Sequence, residues 1–150
     1  RKQLSVKKID FQQSLNRNIF ICFCDNEILK TEFTYYPFPR ILKGLKYGKI
    51  IIDSDYDIAV NKVHTIVMQP RARDFIDVYF LIKEKKYEFK DLQLKAKAKF
   101  DWHIDEVQLG ARLLEARNMK DFPTMLKKID HQEWQDFFIC EARKLGKKIF

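Results

Sequence analysis

The chain has 150 residues, of which 46% are hydrophobic and 33% are charged, and its formal net charge is +8. This length is enough for one domain with its own core, and the composition excludes a disordered chain. The surplus of positive charge favours polyanionic partners in general, although by itself it equally describes a basic protein surface.

The cysteines indicate the redox compartment. Cys22 and Cys24 alternate with apolar residues on a predicted strand, and Cys140 is distant from both in sequence. Three cysteines with this spacing fit neither a zinc site nor a disulfide framework. We therefore predict reduced thiols in a cytoplasmic protein. The sequence has no apolar run of the length that crosses a bilayer, so we expect no membrane partner.

The first 52 residues carry the patterns of β-strands. Four strands are predicted, at residues 4–9, 19–24, 28–36 and 50–52. Turn-forming residues from Asp25 to Glu27 separate the second strand from the third, which predicts a hairpin. Pro37 and Pro39 end that hairpin, because proline has no backbone N–H to donate to a neighbouring strand.

From residue 53 onward, the apolar residues recur with the period of a helix. Ser54, Asp55 and Asp57 offer N-cap oxygens to a first helix that Pro70 ends, and we assign the capping role to Asp57. The other helices are predicted at residues 72–83, 89–100, 104–117 and 133–145, with a shorter one at 121–129. Strands followed by helices predict an α+β fold, with a small antiparallel sheet in residues 1–52 and a helical bundle in residues 53–150.

Ionisable residues gather in the stretch from Asp57 to Lys83. Lys62 lies at the edge of the apolar stripe of the first helix. Asp74 and Asp77 are three residues apart and therefore share a face of the second helix. A lysine and two carboxylates against a packed seam lower stability unless something polar is held there. The trio therefore indicates a site that holds a phosphate-bearing ligand and moves a proton.

Each of these residues also has a structural interpretation. Lys62 fits a lysine that packs its stem and keeps its ammonium in water. Asp74 fits a carboxylate that the helix dipole favours, paired with Arg71 or Arg73. Asp77 fits a structural partner of Lys62. Arg71 and Arg73 are equally compatible with phosphate binding and with an exposed basic turn.

Other ionisable residues are assigned to the surface. A lone histidine at position 64 fits a surface or hydrogen-bonded residue better than a catalyst. Lys95, Lys97 and Lys99 alternate along a predicted helix, and a period of two scatters their ammonium groups around the helix axis. We therefore predict solvated lysines and not a nucleic-acid patch.

Three segments together resemble a known family. Asp57–Ala59, Lys62 and Arg73–Leu81, with the sequence RDFIDVYFL, resemble the C-terminal motifs of AbiEii/AbiGii-type nucleotidyltransferase toxins. The preceding segment, residues 20–57, follows the same family through its strands and its Tyr-Pro-Phe-Pro turn. The resemblance is clear over about the first 90 residues and weak over the rest.

The resemblance implies an activity and a set of partners. Such enzymes transfer a nucleotidyl group from a nucleoside triphosphate, with Mg²⁺, to an acceptor that in some members is tRNA. They belong to toxin–antitoxin or phage-defence systems with a cognate antitoxin. On this view Lys62 steadies the triphosphate, and Arg71 and Arg73 are candidates for contact with a phosphate of the nucleotide or of RNA. Asp74 acts as the base or positions the acceptor, and Asp77 supports both.

One part of the family pattern is missing. Family members open with a glycine-rich turn and an acidic pair that bind the triphosphate and the metal, and this sequence has no counterpart. We therefore expect the C-terminal portion of a longer protein or a truncated gene product, inactive alone, with the Mg²⁺ ligands upstream. Two other possibilities are a non-catalytic module whose basic helices bind RNA or a protein, and a pseudoenzyme that only assembles with a partner.

Overall fold

The structure is a computed structural model that describes residues 5–103 and 105–146. Within these residues an antiparallel sheet of three strands precedes five α-helices, which confirms the predicted α+β arrangement. The chain divides into two units, Arg1–Phe38 and Pro39–Phe150. The first contains the three-stranded sheet, and the second contains a short hairpin and the helices.

The sheet of the first unit has the strand order β1-β2-β3. Its strands are Val6–Ser14 (β1), Arg17–Cys24 (β2) and Ile28–Thr34 (β3). The hairpin predicted between β2 and β3 is confirmed, with the Cys24 amide donating to the Glu27 carbonyl at 2.9 Å. Strand β1 is longer than predicted and continues to a turn at Asn16, whose φ is 57°. Leu4, where the predicted strand begins, lies outside the described residues.

A short hairpin opens the second unit. Its strands are Leu45–Tyr47 (β4) and Ile50–Ile52 (β5), joined through Gly48 at a φ of 61°. Strand β5 agrees with the prediction, whereas β4 was not predicted, because a strand of three residues between two glycines carries too short a pattern. Gly44 lies just before this hairpin, where a Cβ atom would stand 2.0 Å from the carbonyl oxygen of Ile52.

The helices follow the predicted order. They are Asp55–Met68 (α1), Ala72–Lys85 (α2), Phe89–Phe100 (α3), Glu106–Leu114 (α4) and His131–Gly146 (α5), with a 3₁₀ turn at Glu115–Asn118 after α4. Ile104, the predicted start of the fourth helix, lies outside the described residues. Among the helices that the structure describes, none is both long and apolar enough to span a bilayer.

The short helix predicted at 121–129 is wrong. Residues 119–130 form neither helix nor strand. Tertiary contacts outweigh the helical pattern here, because the Asp121 carboxylate accepts a hydrogen bond from the Ala72 amide at 3.1 Å and so serves the start of α2. Phe122 stacks on His131 with ring centroids 3.8 Å apart. This connection lies against helix α2.

The core of the second unit lies between its helices. The largest buried side chains include Phe75 of α2 and Trp134 and Phe138 of α5. Phe75 lies 4.9 Å from Phe138 and 5.9 Å from Trp134, measured between ring centroids. Helix α1 packs Val63 and Ile66 into the same core. Burying each such side chain stabilises the fold by roughly 1.5–3 kcal/mol, and this packing fixes α1 against α2.

Candidate functional site

Lys62, Asp74 and Asp77 meet where α1 packs against α2. The Lys62 ammonium lies 2.7 Å from Oδ1 of Asp74 and 2.8 Å from Oδ2 of Asp77. Arg71 joins them through its Nε, which donates to Oδ2 of Asp74 at 3.2 Å. We call these four residues the Lys62 cluster. It brings two cations and two carboxylates onto one seam.

Local structure explains this placement. Lys62 directly precedes Val63, a residue of the buried stripe of α1, so the lysine stem starts at the edge of the core. Asp74 occupies the first turn of α2, where the helix dipole favours a negative charge. Asp77 follows one turn later on the same face. Arg71 is the N-cap residue of α2, and its carbonyl accepts a hydrogen bond from the Asp74 amide at 2.9 Å.

The two carboxylates differ in burial. The Asp74 side chain is 1% exposed, whereas that of Asp77 is 48% exposed and that of Lys62 is 26% exposed. Asp77 is a partner of Lys62, as its structural interpretation anticipated, but it is the more exposed of the two carboxylates. Asp74 is buried because the first turn of α2 directs it at the seam, where Lys62 and Arg71 occupy both of its oxygens.

Lys62 remains a cation. Burial alone would lower the pKa of Lys62, but the hydrogen bonds and charges of Asp74 and Asp77 outweigh burial and raise it. The ammonium therefore keeps its proton at neutral pH. It can balance negative charge on a ligand, and it cannot act as a general base.

The two arginines of the turn differ in their contacts. Arg71 belongs to the Lys62 cluster, as its structural interpretation anticipated. Arg73 is exposed. Within residues 5–103 and 105–146, the Arg73 side chain makes no hydrogen bond or ion pair. Of the two, Arg73 is therefore the guanidinium available to a ligand.

Asp57 is not the N-cap of α1. Ser54 is the N-cap, and its Oγ accepts from the Asp57 amide at 3.0 Å. The Asp57 carboxylate is completely buried and accepts from the backbone amides of Ile41 at 2.8 Å and Leu42 at 3.0 Å. Lys99 pairs with it at 2.9 Å. Asp57 therefore anchors the chain before the β4–β5 hairpin to the helix that carries Lys62.

The prediction of a solvated Lys99 is also wrong. Its side chain is 2% exposed because the buried charge of Asp57 holds it inside. A signal for this was present in the sequence. Leu92, Ala96 and Lys99 follow the i, i+4, i+7 spacing of one helical face, and the first two are core residues. Counting the period from Leu92 would have placed Lys99 on the buried side of α3.

His64 does not join the cluster. Its ring stacks on that of Phe100 with centroids 3.9 Å apart, and burial lowers its pKa. The imidazole is therefore neutral at neutral pH, and it is partly buried against Phe100. This contact helps to hold α3 against α1.

The described residues do not fit a Mg²⁺ ion. Magnesium is bound by carboxylate and other oxygen ligands. In residues 5–103 and 105–146, no group of three or more histidine, cysteine, aspartate or glutamate residues could hold a metal ion. Asp74 and Asp77 share a face of α2, but the Lys62 ammonium contacts both and would repel a cation.

Comparison with known proteins gives one family. No curated protein and no solved structure matches the chain significantly. The family model described as "Nucleotidyl transferase AbiEii toxin, Type IV TA system" matches residues 24–139. This range contains β3, helices α1 to α4, most of α5 and the whole Lys62 cluster. The resemblance seen in the sequence is confirmed over most of the chain, and the protein belongs to the AbiEii nucleotidyl transferase toxin family.

Proposed function

We propose that this chain provides the Lys62 cluster to a nucleotidyl transfer from a nucleoside triphosphate to an acceptor such as tRNA. The observation that carries the proposal is the contact of one ammonium with two carboxylates at 2.7 and 2.8 Å, inside the region that matches the family. The family implies toxin activity controlled by an antitoxin, and we place that activity in the cytoplasm, where triphosphates and RNA occur.

Lys62 is the phosphate-facing group in this proposal. Phosphoryl and nucleotidyl transfers need positioned cations more than covalent chemistry, because negative charge builds up on the leaving oxygens. The Lys62 ammonium is partly exposed and charged at neutral pH. A phosphate that enters from the exposed side replaces Asp77 as its partner, while buried Asp74 keeps the ammonium in place.

The two aspartates have different roles. Both oxygens of Asp74 are engaged, so Asp74 is a positioning residue that orients Lys62. Asp77 is half exposed and contacts Lys62 through one oxygen, which leaves the other for the acceptor. The role of base therefore falls to Asp77. The acceptor oxygen forms a bond to the α-phosphorus, the bond to the β-phosphate oxygen breaks, pyrophosphate leaves, and the hydroxyl proton goes to Asp77.

The test is transfer of a labelled α-phosphate to RNA by the protein expressed from its complete gene. Lys62→Ala and Asp77→Asn should each lower transfer about a hundredfold or more, the usual scale for loss of an acid–base group or a phosphate cation. Asp74→Ala should lower it too, through loss of Lys62 orientation. Lys95→Ala is the matched control, because Lys95 is an exposed lysine of α3.

The outcome also separates the alternatives. Unchanged transfer by Lys62→Ala and Asp77→Asn would refute the site assignment. RNA binding without any transfer by the wild-type protein would favour a non-catalytic basic module. Absence of nucleotide binding by the wild-type protein would favour a pseudoenzyme.

A further inference from the structure

A groove of about 520 Å³ runs beside Asp77 along helix α2. Its lining consists of Arg73, Asp77, Phe80, Glu84 and residues 123–127. The four residues of α2 follow the i, i+4, i+7, i+11 spacing of one helical face. Small-molecule sites commonly enclose about 300–1,000 Å³, so the groove is large enough for one nucleotide unit. It shares Asp77 with the Lys62 cluster.

Both ends of the non-helical wall are held in place. Asp121 caps the start of α2 through the Ala72 amide at 3.1 Å, just before the wall begins. At the other end, Lys127 pairs with Glu84 of α2 at 2.7 Å. The groove is therefore formed before any ligand arrives, and a ligand has less ordering to impose on the protein.

The charges of the lining leave one cation available. Asp77 is bound to Lys62, and Glu84 is bound to Lys127. Arg73 has no polar partner in the part of the chain that the structure describes. One available guanidinium matches the single charge of a phosphodiester. A triphosphate carries several charges and would need several cations, so the groove favours a nucleotide within a strand over a free triphosphate.

The apolar part of the groove offers a surface for a base. The Lys127 ammonium lies 5.9 Å from the centroid of the Phe80 ring. A ring face that attracts a cation also stacks a nucleic-acid base. Leu126 is fully exposed at the rim and extends this apolar surface.

We propose that this groove binds the reacting end of the acceptor, as one nucleotide unit of a single-stranded RNA. The phosphate lies against Arg73, the base lies against Phe80, and the hydroxyl points to Asp77. Arg73 and Asp77 are four residues apart, about 6 Å along the helix axis, so one nucleotide can reach both. This inference rests on the proposed function, because Asp77 is the base in both.

Binding of a short fluorescein-labelled single-stranded RNA to the 150-residue chain, followed by anisotropy over a range of salt concentrations, tests the groove. Arg73→Ala should weaken binding about tenfold and reduce the slope of log K against log salt by about 0.7, the value for one lost phosphate contact on a single strand. Arg117→Ala is the matched control, because it removes the same charge from an exposed arginine outside the groove.

The stacking surface is tested separately. Phe80→Leu should weaken binding about fivefold or more and leave the salt slope unchanged, because it removes a ring and no charge. Phe80 packs partly against the core, so Leu126→Ser is a second variant at an exposed position, where folding is not in question. Leu126→Ser should also weaken RNA binding, by a smaller factor than Phe80→Leu.

Two results would refute the assignment of this groove to the acceptor RNA. One is equal weakening by Arg73→Ala and Arg117→Ala, which would mean that only net charge matters. The other is normal RNA binding by both Phe80→Leu and Leu126→Ser, which would leave the groove to a protein partner. Either result is compatible with nucleotidyl transfer that depends on Lys62. The assignment of the groove can therefore be wrong while the proposed function is right. Transfer that ignores Lys62 would instead remove the proposed function, whatever the RNA affinities are.

Discussion

The buried pair of Asp57 and Lys99 allows the sharpest test of how this fold holds its charges. The two side chains are 0% and 2% exposed, and their charged atoms are 2.9 Å apart. Lys99→Met keeps most of the stem and removes the ammonium. The Asp57 carboxylate then remains buried, with hydrogen bonds from the Ile41 and Leu42 amides and the Ser54 hydroxyl.

The expected loss follows from these contacts. Removing one partner of a buried pair lowers stability by roughly 3–5 kcal/mol, because a buried charge is left without its counter-charge. The three remaining hydrogen bonds to Asp57 still offset part of its desolvation. We therefore expect Lys99→Met to lower the free energy of unfolding by about 3 kcal/mol at neutral pH, near the lower end of that range.

The same pair predicts a pH dependence. Burial alone would raise the pKa of Asp57, but hydrogen bonds from Ile41, Leu42, Lys99 and Ser54 outweigh burial and lower it from 3.8 to about 2. One pKa unit corresponds to about 1.4 kcal/mol, so this shift stabilises the fold by roughly 2 kcal/mol. A lowered carboxyl pKa stabilises above the unfolded value. This contribution is complete above about pH 4 and is lost as the pH falls through the folded value near 2.

Urea unfolding at neutral pH and through the acid range measures both effects. Lys99→Met should raise the pKa of Asp57 and move the acid loss of stability to higher pH. Asp57→Asn combined with Lys99→Met should cost less than the sum of the single changes, since it removes both charges. Lys95→Met is the control on the same helix, and as an exposed substitution it should stay within about 0.5 kcal/mol of wild type.

A cost for Lys99→Met no greater than that for Lys95→Met would contradict the reasoning. Strict additivity of Asp57→Asn and Lys99→Met would do so as well, because two residues in direct contact should couple. In either case the buried ion pair would add nothing to the free energy of unfolding beyond the packing of its two side chains.

Two further comparisons test the site and its support. Asp74→Asn should lower the free energy of unfolding by roughly 1–3 kcal/mol, because Asp74 is buried between two cations. Asp77→Asn should lower it by no more than about 1 kcal/mol, because the Asp77 side chain is half exposed. Equal losses in urea unfolding would contradict this difference in burial. Gly44→Ala should lower the melting temperature more than Gly48→Ala, since its Cβ meets the Ile52 carbonyl at 2.0 Å and Gly48 has open space at a φ of 61°. A larger effect at Gly48 would show that backbone conformation outweighs this clash.

The helical region was predictable from local signals. The bounds of α3 agree with the predicted 89–100. Hairpin residues 25–27 followed from turn chemistry in the same way. These features depend on neighbours within a few residues, which is the range over which sequence patterns carry information. The family motif was likewise visible in the sequence, because its residues lie close together.

The burial of charges was not predictable in this way. The sequence pattern assigns Asp57 to a helix cap and Lys99 to the solvent, because each pattern covers one helix and not the helix packed against it. The two are 42 residues apart, and only the packing of α3 on α1 brings them within 2.9 Å. The same holds for Asp74 and Asp77, whose exposure differs because of how α2 meets α1.

By itself, the sequence determined the order and type of the main elements, the family motif, and the residues that could form a site. Tertiary structure decided which carboxylate is buried, which lysine is solvated, and that residues 119–130 lie against α2 without forming a helix. The physical reason is that helical periodicity depends on adjacent turns, whereas the energy of a charge depends on groups brought to it from elsewhere in the chain.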